Sequence, residues 1–253
     1  MKVSWDEKER VSEIGRFLGP RLNSLSLAIW LYAEDHHALR PVGTGALLEA
    51  KEKLFLVTAH HVVASKHEND VICVSRGLGV SNPVKLVVAV VRFFSDWDIS
   101  VIEIPEWVKP LLQPMPRSSI DVIGELDGGL HLIVGWPAQL RPTHALSTGS
   151  ESVATIVADA VSLRLWDYRG DREGLAGVQD EHLLLELDPA CLSGGRLPAL
   201  EGISGAPVWR VHDDSSLLVR PALVGVQTGF HPMRNGTTVV RASPASLVLE
   251  LLG

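Results

Sequence analysis

The sequence predicts an all-β protein of two lobes, with a short helix near each end of the chain. Short apolar, β-branched runs recur along the chain, polar residues, Gly or Pro separate them, and a proline-rich segment divides them into two sets. The 253 residues are enough to bury a substantial core, as one large domain or as two lobes that share an interface. Hydrophobic residues make up 46% and charged residues 21%, which argues against a disordered chain.

The segment Ser4–Leu18 predicts an amphipathic helix. Its apolar side chains recur at helical spacing, and acidic residues fall in the first turns, where they stabilise the positive end of the helix dipole. We expect residues 1–24 to form a helical extension packed on the domain surface. A docking helix for a regulatory protein partner is the alternative.

Residues 25–116 are expected to hold the first β lobe and the connection to the second. The predicted strands are Leu25–Tyr32, Thr44–Glu49, Lys53–Thr58, Val71–Ser75, Lys85–Phe94 and Ile99–Ile104. Pro105–Pro116 contains four prolines. Because proline lacks the N–H that a strand ladder needs, this segment predicts an interlobe connection.

Residues 117–253 are expected to form the second β lobe and a C-terminal helix. The predicted strands are Leu130–Trp136, Val153–Val161, His182–Leu187, Ala206–Val211, Leu217–Gln227 and Thr237–Arg241. Asn235-Gly236 predicts a type I′ hairpin turn, which needs positive φ at both central residues. The ending ASLVLELL predicts a short helix with Ser243 as its cap and Pro244 in its first turn.

Charge and composition predict a protein that works in the cytoplasm. Lys and Arg total 23 against 30 Asp and Glu, a formal charge of -7 that argues against nucleic acid or an anionic membrane as a partner. The charged N-terminus lacks the apolar core of a secretory signal, and no apolar run is long enough to span a bilayer. Cys73 and Cys191 could pair, but two free thiols in a reducing compartment fit better.

Three segments each hold one polar residue where the backbone would fix its position. An apolar strand delivers His61 at the start of a turn, as a catalytic base requires. Asp98 enters an apolar run, where its carboxylate can accept a hydrogen bond from an imidazole. Ser204 lies in GISGAP, whose glycines let backbone N–H groups converge on an oxyanion. Each signal alone is weak, but their order across two β lobes predicts a catalytic triad in the cleft between them.

These segments resemble the motifs of the trypsin/chymotrypsin-like serine peptidases. VTAHHVV resembles the Thr-Ala-Ala-His block, DISVIEI the Asp-Ile-Ala-Leu block and GISGAP the Gly-Asp-Ser-Gly-Gly-Pro block. LVGVQTG resembles the strand that pairs with substrate backbone. The match runs through most of residues 40–241 and implies a chymotrypsin-like fold of two six-stranded antiparallel β-barrels.

The resemblance implies a serine endopeptidase that acts on a protein or peptide substrate without a cofactor. Ser204 would be the nucleophile, His61 the general base and Asp98 the acid that orients it. The N–H groups of Gly202 and Ser204 would form the oxyanion hole. The expected substrate-binding residues are Gln227, Thr228, Gly229 and Phe230.

Neighbouring residues compete for two of these roles. Counting forward from Thr58, the family's base falls on His61 rather than His60. Asp98, rather than Asp96, stands directly before the apolar run.

Departures from the family point to its bacterial, intracellular members. Ile203 stands where activated secreted members carry an Asp that pairs with a newly cut N-terminus, so activation by that ion pair is not expected. Val62 replaces the half-cystine beside the base. Pro198 replaces the acid of trypsin-like specificity and Gln227 the His of the glutamyl-specific branch, which favours a small or apolar residue before the scissile bond.

Two alternative functions stay open. A pseudoprotease or binding module would keep the fold without turnover, and the unusual His60-His61 pair and the missing activation acid favour it. Asp35-His36-His37 and His60-His61 suggest a metal site. Adjacent strand residues point to opposite faces, however, and no His-x-x-x-His spacing occurs, so no metal is expected.

Overall fold

The structure, a computed structural model, shows a predominantly β chain with few helices. It describes residues 22, 25–33, 38–76, 83–86, 90–113, 115, 118–119, 123–124, 130–137, 161–187, 200–211 and 221–253. The predictions for Ser4–Leu18, Asp35-His36-His37, Cys191 and Pro198 lie outside these residues, as does the predicted strand Val153–Val161 up to residue 160.

The first lobe is a sheet of eight strands. They are β1 (Leu27–Ala33), β2 (Ala38–Ala50), β3 (Lys53–Ala59), β4 (Asp70–Arg76), β5 (Val84–Leu86), β6 (Val90–Phe94), β7 (Ile99–Glu103) and β8 (Ser118–Ser119). Seven of them pair in the order β5-β4-β1-β2-β3-β7-β6, and β8 pairs in parallel with β2. β8 therefore joins the first sheet although it follows the predicted interlobe connection.

The predicted strand Lys85–Phe94 contributes to both edges of this sheet. Its first described part lies in β5, which pairs with β4, and its second part, β6, pairs with β7. Residues 87–89 between them lie outside the described residues. Together with β1, β2, β3, β4 and β7, this predicted strand accounts for the six strands expected of the first barrel.

The second lobe is a closed barrel. Its strands are β9 (Leu130–Gly135), β10 (Val161–Asp167), β11 (Leu183–Leu187), β12 (Pro207–Val211), β13 (Ala222–Pro232) and β14 (Thr238–Pro244). They pair antiparallel in the order β10-β11-β14-β13-β12-β9. The fold-class prediction of a chymotrypsin-like double barrel is confirmed.

In the described part of the chain, three short helices have defined bounds. They are α1 (His60–Ala64), α2 (Lys109–Leu112) and α3 (Ser246–Leu252). α1 follows β3 directly, and α2 lies in the predicted connection with Pro110 in its first turn. In the part of the chain that the structure describes, no helix has the length and apolar character to cross a membrane.

Two local predictions in the second lobe are wrong. The hairpin predicted at Asn235-Gly236 is present between β13 and β14, but its turn is not type I′, because Gly236 has positive φ and Asn235 does not. The Asn235 side chain accepts a hydrogen bond from Thr237 N–H at 3.0 Å. Ser243 does not cap α3, because Ser243 and Pro244 belong to β14. The Ser243 hydroxyl donates to the Trp97 carbonyl oxygen of the first lobe instead.

An apolar cluster joins the two lobes. It includes Val57 and Val101 of the first lobe, Leu132 and Trp209 of the second, and Val248 of α3. Each of these side chains is at most 1% exposed. The shared cluster fixes β3, which leads into α1, against the barrel that carries the GISGAP segment.

Leu22 shows that this cluster extends into the predicted N-terminal extension, since its side chain is fully buried there. We expect Leu22→Ala to destabilise the protein by about 2–5 kcal/mol through lost burial and a residual cavity. Leu111→Ala, at a side chain that is 57% exposed, is the control and should cost less than about 0.5 kcal/mol. Urea unfolding of both variants measures the difference; equal losses would contradict the packing of Leu22.

Candidate active site

His61 lies where β3 gives way to α1. The strand ends at Ala59, whose extended backbone precedes the first helical residue, His60. His60 N–H donates to the Asp98 carbonyl oxygen at 2.9 Å, which joins the start of α1 to the acid-bearing loop. Within α1 the Val62 side chain is buried, whereas the His61 side chain is 49% exposed. The backbone at the start of α1 is therefore held in place, while the His61 imidazole is accessible.

Asp98 meets His61 at two points. His61 N–H donates to Asp98 Oδ1 at 2.8 Å, and His61 Nδ1 lies 2.6 Å from Asp98 Oδ2. The second contact favours the tautomer in which Nδ1 carries the proton and donates a hydrogen bond to the carboxylate, so that Nε2 can accept a proton. This is the arrangement that a general base requires.

The backbone of Asp98 is in a conformation that non-glycine residues rarely adopt. Its φ is 53°, in the left-handed region, where Asp is among the residues best tolerated. Its carboxylate is partly buried, with the side chain 19% exposed. Such strain persists only where surrounding contacts hold the residue, and it clusters at functional sites.

The neighbours that compete for these roles, His60 and Asp96, make other contacts. The His60 ring stacks on Phe93 with centroids 4.2 Å apart, and its Nδ1 lies 2.9 Å from Ser100 Oγ. The Asp96 carbonyl oxygen accepts a hydrogen bond from Gln179 Nε2 at 3.2 Å. The structure thus brings His61 together with Asp98 and gives His60 a different set of contacts.

Ser204 lies in a tight loop between the turn at Gly202 and the start of β12. Ile203 N–H donates to the Leu200 carbonyl oxygen at 3.1 Å, and Gly202 has a φ of +86°, as the third residue of a type II turn requires. Gly205 also has positive φ, +88°. The two glycines therefore supply the backbone conformations expected from the motif.

The Ser204 loop is docked on the strands that lead to His61. Thr44 N–H donates to the Ser204 carbonyl oxygen at 2.8 Å, and Thr44 Oγ1 donates to the Gly202 carbonyl oxygen at 3.0 Å. A Cβ on Gly205 would overlap Thr58 Oγ1 and lie 2.9 Å from the backbone nitrogen of Ala59. The Ser204 loop thus lies directly against the end of β3.

The hydroxyl of Ser204 makes no hydrogen bond to a described residue, so the structure does not join it to His61. Catalytic hydrogen bonds are often long in unliganded enzymes and tighten in the substrate complex. Ser204 N–H donates to none of the described acceptors either, as an oxyanion-hole donor requires. The predicted oxyanion role of Gly202 and Ser204 stays a prediction.

The four predicted substrate-binding residues lie together on β13. Gln227 exchanges backbone hydrogen bonds with the nucleophile loop: Gly205 N–H donates to Gln227 O at 2.8 Å and Gln227 N–H to Ala206 O at 2.9 Å. The Gln227 amide is fully buried with no partner among the described residues. Thr228 and Gly229 lie beside Arg241, and Phe230 packs against the core of the second barrel.

Sequence reasoning missed Arg241, whose guanidinium lies beside the acid. Arg241 Nη2 is 3.9 Å from Asp98 Oδ2, and Arg241 Nε–H donates to Thr228 Oγ1 at 3.1 Å. The only signal of this contact in the sequence is that Arg241, a charged residue, ends the otherwise uncharged run Thr237–Arg241.

Two histidines near Arg241 are biased toward the neutral form. Burial, reinforced by the Arg241 cation, lowers the pKa of His182 to about 4. The same two causes lower the pKa of His231. His182 Nδ1 accepts a hydrogen bond from Gln179 N–H at 2.8 Å, which requires that nitrogen to be unprotonated, and its ring packs 4.8 Å from that of Trp97.

Among the described residues, no group of three or more His, Cys, Asp or Glu side chains is placed to hold a metal ion. Cys73 is a free, buried thiol, and burial raises its pKa to about 12, so it has little nucleophilic character.

Gly205→Ala should displace the nucleophile loop, because the new methyl group would overlap Thr58 Oγ1 and the Thr44 carbonyl oxygen. We expect a loss of about 3 kcal/mol or more in unfolding free energy, from backbone strain and overpacking together. Gly236→Ala is the matched control: its φ is +84°, but no atom lies within 4 Å of the added Cβ, so only strain of about 1–2 kcal/mol applies. Equal losses in chemical denaturation would contradict the docking described.

His182 should make the protein less stable as the pH falls. Its folded-state pKa of about 4 lies below the ordinary value of 6.5, so the unfolded chain takes up the proton first and stability declines between about pH 6.5 and 4. His182→Asn keeps an acceptor for Gln179 N–H and removes the titration. Urea unfolding at pH 7.5 and 4.5 should show a smaller pH-dependent loss for the variant than for the wild type; an unchanged loss would be evidence against this role.

Comparisons with known proteins bear on the fold. No family model and no curated protein matches the chain. The solved structure of Deg5 has a TM-score of 0.52 at 15% identity, over 99% of this chain and 95% of that chain. The Rv3671c protease in its inactive form has a TM-score of 0.51 at 15% identity, over 96% of both chains. The MamO protease domain from Magnetospirillum magneticum, in its apo form, has a TM-score of 0.48 at 14% identity, over 90% of this chain and 96% of that chain.

The structures of Deg5 and the Rv3671c protease match nearly the whole chain with TM-scores above 0.5. At 15% identity these matches speak for the fold alone. The chain has the chymotrypsin-like double-barrel fold, which it shares with both of these proteins.

Proposed function

We propose that this protein is a serine endopeptidase that hydrolyses peptide bonds through an acyl-enzyme on Ser204. The observation that carries the proposal is the two-point contact of Asp98 with His61, at 2.8 and 2.6 Å. Such a contact fixes both the orientation and the tautomer of the imidazole, and a carboxylate held in this way serves to stabilise the imidazolium that forms during catalysis. The Ser204 loop lies against the strands that deliver this histidine.

The proposed reaction begins with attack of Ser204 Oγ on the carbonyl carbon of the scissile peptide. His61 Nε2 takes the hydroxyl proton, and the carbonyl oxygen becomes an oxyanion that accepts hydrogen bonds from the N–H groups of Gly202 and Ser204. His61 then gives its proton to the leaving amine, and the C–N bond breaks to leave the acyl-enzyme. Water, activated by the same histidine, attacks the ester and releases the carboxylic acid and free Ser204.

A catalytically inactive trypsin-fold binding module is the alternative. The observation that favours it is the Ser204 hydroxyl, which has no hydrogen bond to His61 in the described part of the chain. Substrate binding would have to shorten this contact for the peptidase proposal to hold. The bacterial source, the cytoplasmic location and a regulatory partner stay predictions from the sequence.

A fluorophosphonate probe, which reacts only with an activated serine, separates the two functions. We expect covalent labelling of the wild type and none of Ser204→Ala, as measured by intact-protein mass. Asp98→Asn should slow labelling by about 10³–10⁴-fold, because the imidazole loses the partner that fixes its tautomer.

The adjacent histidines provide the matched control for this experiment. His61→Gln should abolish labelling, whereas His60→Gln, which removes a ring stacked on Phe93, should slow it far less. Labelling of the wild type and Ser204→Ala to equal extents, or of neither, would refute the peptidase function and leave the binding module.

A further inference from the structure

We propose that Arg241 is a positioning residue for the acid, through which the second barrel sets the place of the Asp98 carboxylate. This inference rests on the proposed peptidase function. The pair is formed across the two lobes, since Asp98 precedes β7 of the first lobe and Arg241 belongs to β14 of the second. Arg241 Nη2 lies 3.9 Å from Asp98 Oδ2, the oxygen that faces His61 Nδ1. That distance is too long for a hydrogen bond, so the attraction is one of charge.

The guanidinium is held in place by neutral acceptors. Its Nε–H donates to Thr228 Oγ1 at 3.1 Å, its Nη1–H to the Gly177 carbonyl oxygen at 2.7 Å and its Nη2–H to the Thr228 carbonyl oxygen at 3.3 Å. The side chain is only 16% exposed. A partly buried arginine with this many donors engaged is rigid, so that its charge occupies a fixed position relative to β13.

The acceptors that hold Arg241 do not neutralise it. Among the described residues, Asp98 supplies the only carboxylate within 4.0 Å of the guanidinium. The two histidines beside it are biased toward neutrality, because burial and the arginine itself lower the pKa of His182 and His231. The Asp98 carboxylate is therefore the counter-charge of Arg241.

The rest of the acid-bearing loop is also held from the second barrel. Gln179 Nε2 donates to the Asp96 carbonyl oxygen at 3.2 Å, and the Ser243 hydroxyl donates to the Trp97 carbonyl oxygen. These two contacts restrain the backbone, whereas Arg241 is the second-barrel residue, among those described, that acts on the carboxylate of Asp98. Because the second barrel also carries Ser204, these contacts fix the position of Asp98 relative to Ser204.

The first test is the rate of fluorophosphonate inactivation, which does not depend on the substrate-binding strand. Arg241→Gln should slow inactivation by about 10-fold or more, since small misplacements of catalytic groups cost about that much or more. Arg241→Lys, which keeps the charge but not the three-point fixation, should fall between wild type and Arg241→Gln. Arg92→Gln is the matched control. Arg92 donates a hydrogen bond to the Leu251 carbonyl oxygen at 2.8 Å and makes no described contact with His61 or Asp98. Its replacement should therefore leave the inactivation rate near that of wild type.

A double-mutant cycle separates positioning from a merely structural role. In the Asp98→Asn background, Arg241→Gln should cost little further activity, because its effect acts through the carboxylate. If the role of Arg241 were merely structural, Arg241→Gln would lower the inactivation rate by the same factor in both backgrounds. Additive losses, or an Arg241→Gln variant as reactive as wild type, would overturn the inference. If Arg241→Gln fails to fold, as judged by circular dichroism, Arg241→Lys is carried through the same cycle under the same criteria.

A readout without turnover keeps this inference distinct from the peptidase proposal. In the Ser204→Ala background, the low-field proton resonance of His61 Nδ1–H reports the hydrogen bond to Asp98. It should broaden or shift in Arg241→Gln and stay in place in Arg92→Gln. Absence of serine-dependent labelling in the wild type would end the peptidase proposal, whereas an unmoved His61 resonance in Arg241→Gln would end the positioning role alone.

Discussion

The arrangement of the site depends on the way Thr44 joins the two lobes. Its N–H donates to the Ser204 carbonyl oxygen and its hydroxyl to the Gly202 carbonyl oxygen, so both ends of the nucleophile turn are held. The same hydroxyl accepts a hydrogen bond from Trp136 N–H at 3.0 Å, and the Thr44 carbonyl oxygen accepts one from Thr58 Oγ1 at 2.7 Å. Thr44 is completely buried, and an unmatched polar group there would be costly. This buried network therefore specifies one position of the Ser204 loop relative to β3.

The electrostatics of the site follow from the same cross-lobe packing. Asp98 is reached from its own lobe by His61 and from the other lobe by Arg241. A carboxylate between an imidazole and a fixed cation is restrained on both sides, which suits a residue whose left-handed backbone needs external support. Because partly buried charge pairs contribute little to net stability, the role we propose for Arg241 is one of geometry. Asp98 is thus contacted from both lobes.

Much of the fold and the central pair could be predicted from the sequence, because both are encoded locally. Alternating apolar runs and proline or glycine punctuation predicted most of the strands, and the position of His61 relative to its strand separated it from His60. What the sequence could not predict depends on contacts between distant segments. The division of Lys85–Phe94 arises because its halves pair with different strands, and Ser243 bonds to the first lobe instead of capping a helix. Arg241 and Thr44 owe their roles entirely to such tertiary contacts.

Ile203 anchors the Ser204 loop in the second barrel by apolar packing. Its side chain is completely buried in the second-barrel core, and it packs so closely on Gly135 that a Cβ there would lie 2.6 Å from Ile203 Cγ2. Apolar packing of this kind requires no charge to be desolvated. Ile203 on one side and Thr44 on the other therefore help to hold the Gly202–Gly205 turn, together with the hydrogen bond from Gly205 N–H to the Gln227 carbonyl oxygen.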